Sequence, residues 1–527
     1  MLNFLMYTME YRLEKLRQSE EIERNREANT SKNAESINIS KTFLKILKSS
    51  FEVKILYGDK NSFKRGKKIK SAIEVKMKNL FQNVTTSTET GFDDIIALAV
   101  AYYNLGELHL EDIKLEVAED NFMRCIELLN GKELDCKAIL TAIRVHLQLY
   151  YVWIKIKKLE KCFPLLDKAM ELYLNYTKED EDEYPYPIEI ATVLHIQNIT
   201  LNSKIVLADL HTITLKLLME QYKLKPIDKH KFVIYVHNLL NKELIEGLKT
   251  DSTISIFWAN TAADLCLYFV HHDLFIEARD HLGAADCMME IYFNTMCEKQ
   301  NTSNLRAEIN DYELFCANIA ILWGKYGVFL LRSSIENLPQ YDKSCEANNI
   351  KLKSLAKSKE ELTKSLTFID LKKNLEHIEI PATYVSNLND AKRIFSHILK
   401  TFNLAKKYYT VDKNIFCYMD IILHISAAYE YYAYFVDDDI NKLKLIKQCI
   451  KILENAVSNV VIKCKTLEEY QLVKKFYFKL AICYSTLLNM TSEKFNDIEE
   501  ITDEMRMETK QLVKNIVDNF TLYLKST

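Results

Sequence analysis

Glycine and proline are nearly missing from this chain, with 9 and 6 among 527 residues, where the two together make up roughly 12% of an average sequence. Tight turns, sheet bulges and phosphate-cradling loops need those residues, so the shortage argues against a sheet-rich fold and predicts an almost wholly helical one. It also removes the glycine-dependent chemistries: there is no G-x-x-x-x-G-K-[ST] loop and no dinucleotide fingerprint. H-E-x-x-H and G-x-S-x-G are absent as well. The 12 cysteines are scattered without a C-x-x-C pair, which predicts reduced thiols in a cytoplasmic protein rather than a disulfide frame or a zinc centre. No catalytic activity, cofactor or metal site is expected.

Charge of one sign is missing too. With 70 basic and 73 acidic residues the net charge is −3, so no global field points to nucleic acid. No uncharged apolar run reaches the roughly 20 residues that span a bilayer. The best, Ala317 to Trp323, stops short of Lys325, and no membrane insertion is expected. The first residues lack the basic region of a secretory signal.

What the chain does have is a recurring spacing. Counting Ala99 as position 1, Tyr102 stands at 4, Leu105 and Gly106 at 7 and 8, His109 at 11, Ala118 at 20, Phe122 at 24 and Cys125 at 27. This is the tetratricopeptide pattern, two antiparallel helices that approach closely where small residues face large ones. The same ruler from Ile143 gives His146, Leu149, Tyr150, Trp153, Cys162, Leu166 and Ala169. From Ala259 it gives Ala262, Leu265, Cys266, Phe269, Ala278, Leu282 and Ala285. One hairpin cannot bury its own faces, so a stack is implied. The fold class is therefore all-α, a tetratricopeptide-like α-solenoid of stacked antiparallel hairpins in two halves joined by a polar linker.

Composition divides the chain. Residues 1–40 read as a partly disordered arm, 41–340 as the N-terminal solenoid, 341–386 as a polar linker region, and 387–527 as a C-terminal helical repeat block ending in a capping helix. Within 41–82 two helices are expected, over 41–58 and 70–82. The basic tract 60–70 between them reads as a solvated loop, an anionic-partner surface being the other reading. The acidic and proline-containing stretch 176–189 reads as an exposed connection. Farther on, Gly324 and Gly327 on one helix are expected to admit a closely packed neighbour.

A stack of hairpins lines an extended groove with positions 2, 5, 9, 12 and 13 of each first helix. Here these are Val100, Tyr103, Glu107, Leu110 and Glu111, then Arg144, Leu147, Tyr151, Ile154 and Lys155, then Asn260, Ala263, Leu267, Val270 and His271. Tyrosines, apolar residues and charges of both signs suit a folded protein partner. A clustered Lys/Arg clamp for a peptide carboxylate is lacking.

Three blocks, 98–129, 257–286 and 389–414 with the helices after it, resemble the KIF-binding protein family of kinesin regulators, and their order and separation agree as well. The resemblance implies a monomeric, non-catalytic regulator, cytoplasmic and cytoskeleton-associated. It would bind the motor domains of a subset of kinesins on their microtubule-binding side and stop them engaging the track. It also implies motor-contacting residues at Leu217, Glu220, Glu243, Asn260 and Asp264, to which groove geometry adds Glu107, Glu111, Tyr151 and Lys155. The alternative is a tetratricopeptide scaffold or co-chaperone that collects short peptides. Carboxylates are physically apt for the first reading, since a face that holds acidic tubulin must be basic.

Overall fold

The structure, a computed structural model, describes residues 37–58, 62–86, 90–177, 184–194, 196, 202–224, 229–250, 256–298, 305–338, 366–375, 378–495 and 502–525. Most of the expected arm, the acidic run 178–183 and the polar stretch 339–365 lie outside the described residues. Among those described, helices and their connections account for the whole fold and no strand is present. The chain is an all-α stack of helical hairpins, and it divides into two compact units, 1–220 and 221–527. The expected linker region, 341–386, falls within the second of these units.

In the first unit, α1 (Lys41–Gly58) and α2 (Phe63–Thr86) form the opening hairpin. The next two are α3 (Phe92–Glu111) with α4 (Leu115–Leu129) and α5 (Ile139–Lys155) with α6 (Leu159–Thr177). The basic tract is not a loop: from Phe63 onward it is the first turns of α2. Its Gly66 lies against the Tyr57 ring, and Lys70 is buried with its Nζ 3.1 Å from Asp112, just past the end of α3. Partnering the lysine is what allows the helix to continue through a basic sequence. Residues 95–106 of α3 are buried without interruption, as expected of a helix apolar on every side and packed between α1, α4 and α5. A Cβ on Gly106 would lie 2.4 Å from the Phe122 ring, so positions 8 and 24 of the first repeat are hole and knob. The stretch after residue 183 is also less exposed than expected, because Tyr176 Oη donates to the Pro185 carbonyl at 2.7 Å and Ile188 N to the Cys136 carbonyl at 2.8 Å.

The three repeats share a backbone signature. Position 15 in each, Ile113, Lys157 and Asp273, has a positive φ of 59°, 60° and 56°. The following amide closes back onto the position-11 carbonyl at 2.8 Å every time, Lys114 to His109, Lys158 to Trp153 and Leu274 to Phe269. That is a Schellman close, used three times without a glycine.

The helix α7 (Ser203–Leu224) contains the division between the units. In the second unit α8 (His230–Thr250) precedes the third repeat, α9 (Ile256–His271) with α10 (Phe275–Glu298). The long α11 (Leu305–Glu336) packs on α9, α10, α12 and α13. By length and composition Ile309–Glu336 is apolar enough to cross a membrane, unlike the expectation, because a single lysine does not disqualify it. Its apolar window is 61% buried against its neighbours, and Lys325 is ion-paired to Asp420 at 2.9 Å.

The expected C-terminal block holds α12 (Leu388–Tyr408), α13 (Ile415–Ala433), α14 (Asp439–Val461), α15 (Leu467–Phe495) and α16 (Asp503–Lys525). Asn387, Asn414 and Asp438 cap the first three by accepting from backbone amides. Gly324 and Gly327 seat Phe402 and Ile398 of α12, so the helices before and after the polar stretch pack directly on one another.

Ahead of α12 lie residues 366–375, with a 3-10 turn at Ile369–Leu371 and one helical turn at Lys372–Leu375, and residues 378–386. Phe368 packs between Trp258, His237 and His281, and its amide donates to Asp280 at 2.8 Å. Ile378 lies over Gly283. Arg279 and Tyr326 donate to the carbonyls of Ile380 and Pro381 at 3.1 and 2.7 Å. Side chains of the packed helices thus partner backbone groups of these connecting residues.

Candidate protein-binding surface

In the first unit three helices converge on one carboxylate. Glu107 accepts from Tyr103 Oη at 2.6 Å, from Gln148 Nε2 of α5 at 3.3 Å, and from Lys54 Nζ of α1 at 2.5 Å. Its charge is therefore largely spent inside the chain. Glu111, one turn on, is exposed, and partial burial, then the Glu107 charge, raise its carboxyl above the ordinary range. Tyr151 and Lys155 form a cation–π pair on α5, with Nζ 5.4 Å from the ring centroid. Leu217 is half-buried and Glu220 exposed on α7. Glu220 contributes, after burial and Cys162, to the raised Tyr150 hydroxyl. The first unit thus groups Glu107 with Glu111, and Tyr151 with Lys155.

In the second unit the expected residues part company. Glu243 is exposed on α8. Asn260 and Asp264 are only 8% and 5% exposed, bonded to each other at 3.0 Å, with Lys223 Nζ 3.0 Å from the same Asp264 oxygen. Ala263 and Val270, two more expected groove positions, are buried as well. The cause is Tyr222, which is fully buried and inserts its hydroxyl into α9. It accepts from Tyr268 N at 2.9 Å and donates to the Leu265 carbonyl at 3.2 Å. Tyr222 and Lys223 therefore cover the α9 face that repeat geometry alone would leave open. Asn260 and Asp264 hold that cover in place instead of presenting polar atoms outward.

Sequence reasoning missed Lys54, which neutralises Glu107, and the pair Tyr222 and Lys223, which closes over Asp264. Neither stands at a repeat position, so only the packed chain reveals them. Of the five expected acidic residues, Glu111 and Glu220 in the first unit and Glu243 in the second are exposed.

Residues 256–527 match the family model described as KIF-1 binding protein C terminal. The KIF-binding protein of Gallus gallus is 23% identical over 470 residues, 84% of this chain and 75% of that one. The one from Danio rerio is 24% identical over 82% of this chain and 69% of its own length, and the human one 22% identical over 82% and 70%. Among solved structures, a kinesin binding protein aligns over 93% of this chain and 84% of its own, at a TM-score of 0.38 and 16% identity.

Proposed function

Because the chain belongs to the KIF-1 binding protein family, we propose that it binds the motor domains of a subset of kinesins on their microtubule-binding side and thereby blocks attachment to the track. The observation that carries this reading is the family match over 256–527. Its role is stoichiometric occlusion, as a monomer in the cytoplasm close to the cytoskeleton, with no bond made or broken. Exposed carboxylates suit the task, because a motor face that grips acidic tubulin is basic and a competitor must offer the same sign of charge as tubulin. Glu111, Glu220 and Glu243 supply that charge. Tyr151 with Lys155, and Leu217, supply aromatic and apolar contact. Glu107, Asn260 and Asp264 act from beneath, by fixing the helices that carry the others.

The test is microtubule co-sedimentation of a panel of kinesin motor domains with and without the full chain. Some motors are expected to move from the pellet to the supernatant at about one protein per motor. If every motor stays in the pellet at saturating protein, the reading fails, and capture of isolated short peptides becomes the function to examine.

A further inference from the structure

Two free cysteines meet where α14 packs on α15. The Cys449 and Cys483 sulfurs are 3.8 Å apart, and Cys449 Sγ also lies 3.7 Å from the Ser426 carbonyl oxygen. Their surroundings differ. Cys449 is 3% exposed, whereas Cys483 is only half-buried. Both border a cavity of about 300 Å³ whose wall includes Tyr434, Lys442 and Met490, ample for a molecule the size of peroxide. Lys479 stands one turn before Cys483 on α15 and is ion-paired to Glu430.

These neighbours divide the labour between the thiols. The neighbouring Cys449 thiol, and then the Lys479 ammonium, favour the Cys483 thiolate and hold its pKa below the ordinary value. Cys449 is pushed up, by its interaction with Cys483 and by burial. A reachable, thiolate-prone sulfur beside a buried resolving thiol is the arrangement that dithiol oxidation requires.

We propose that Cys449 and Cys483 are a redox-reactive dithiol that hydrogen peroxide converts into an intrachain disulfide joining α14 to α15. The Cys483 thiolate attacks one peroxide oxygen, the O–O bond breaks, and the departing hydroxide takes up a proton to leave as water. Cys483 is then a sulfenic acid. Cys449 sulfur attacks that sulfur, its thiol proton passes to the leaving hydroxide, and a second water departs as the S–S bond forms. Two thiols lose two electrons in all, and one peroxide is reduced to two waters. The sulfurs must close from 3.8 Å to about 2.05 Å.

The experiment treats the reduced full chain with a small excess of hydrogen peroxide, followed by intact mass measurement and non-reducing peptide mapping. The expected result is a loss of ~2 Da, one cross-linked peptide joining 449 to 483, and reversal by dithiothreitol. Exposed Cys297 is the internal reference, and Cys483 should be consumed about tenfold faster. In Cys449→Ser the cross-link disappears and Cys483 gains oxygen instead. The map of the unaltered chain stands even where that variant folds poorly. Oxidation of Cys297 while 449 and 483 stay reduced, or addition of oxygen to Cys483 in the unaltered chain without a cross-link, overturns the proposal.

Discussion

The contact between α11 and α12 allows a sharp test of the packing. A Cβ on Gly324 would lie 2.5, 2.6 and 2.7 Å from Cζ, Cε1 and Cε2 of Phe402, whereas relaxed carbon contacts begin near 3.5 Å. Gly324→Ala therefore drives the ring back by about 1 Å. Phe402 is fully buried, with the His424 ring 6.0 Å away between centroids, so there is little room to give. Overpacking of this kind costs about 1–3 kcal/mol, while replacing a mid-helix glycine by alanine returns about 1 kcal/mol of helix propensity. In Phe402→Leu the three clashing ring atoms no longer exist, and the same alanine should then stabilise. A double-mutant cycle should accordingly show a coupling of about 2 kcal/mol, favouring the combined variant. Hydrogen exchange of α11 and α12 peptides in the full chain reads it locally, without assuming that 527 residues unfold in one step. Additivity within about 0.5 kcal/mol would refute the account.

Other outcomes follow from the same structure. Ile113 is 80% exposed at φ 59°, a poor conformation for a β-branched residue, so Ile113→Asn should stabilise the first repeat by about 1 kcal/mol in hydrogen exchange. The His281 ring is fully buried, and desolvation, then His237, bring its pKa down to about 3. It is neutral in the fold and protonates more readily when unfolded, so its contribution is complete above pH 6.5 and is lost as pH falls from 6.5 toward 3. Asp280, pushed up to about 6 by burial, has the opposite slope between its unfolded value and 6, which makes the variant comparison necessary. As pH falls from 6.5 to 4, the second unit of the parent should lose stability relative to His281→Phe by an amount on the order of 3 kcal/mol, the Asp280 slope being common to both. Identical pH profiles would contradict the neutral assignment.

Much of the architecture is legible in the residues themselves. Small residues at positions 20 and 27 mark three hairpins, and Gly324 and Gly327 mark the approach of α12, because close packing demands a missing side chain wherever it occurs. The four helices after residue 387 declare themselves through periodicity and through Asn387, Asn414 and Asp438 at their starts. What repeat spacing does not carry is cover supplied from elsewhere in the chain. Tyr222 enters α9 from 46 residues before the amide it bonds, and Phe368 reaches Asp280 across 88. Asn260 and Asp264, which the resemblance implies as motor contacts, are interior for that reason. The basic tract of α2 misled for a related reason, since its buried Lys70 depends on Asp112 in another hairpin.

The central claim is competition with the track, and inhibition of microtubule-stimulated ATPase tests it most directly. A motor domain released in co-sedimentation should lose its stimulated turnover at saturating protein. Reversing Glu111, Glu220 and Glu243 together to lysine should weaken that inhibition tenfold or more, with the largest difference at low salt (roughly 1.4 kcal/mol for the three). Stimulated turnover that is unchanged by the native chain would contradict the account.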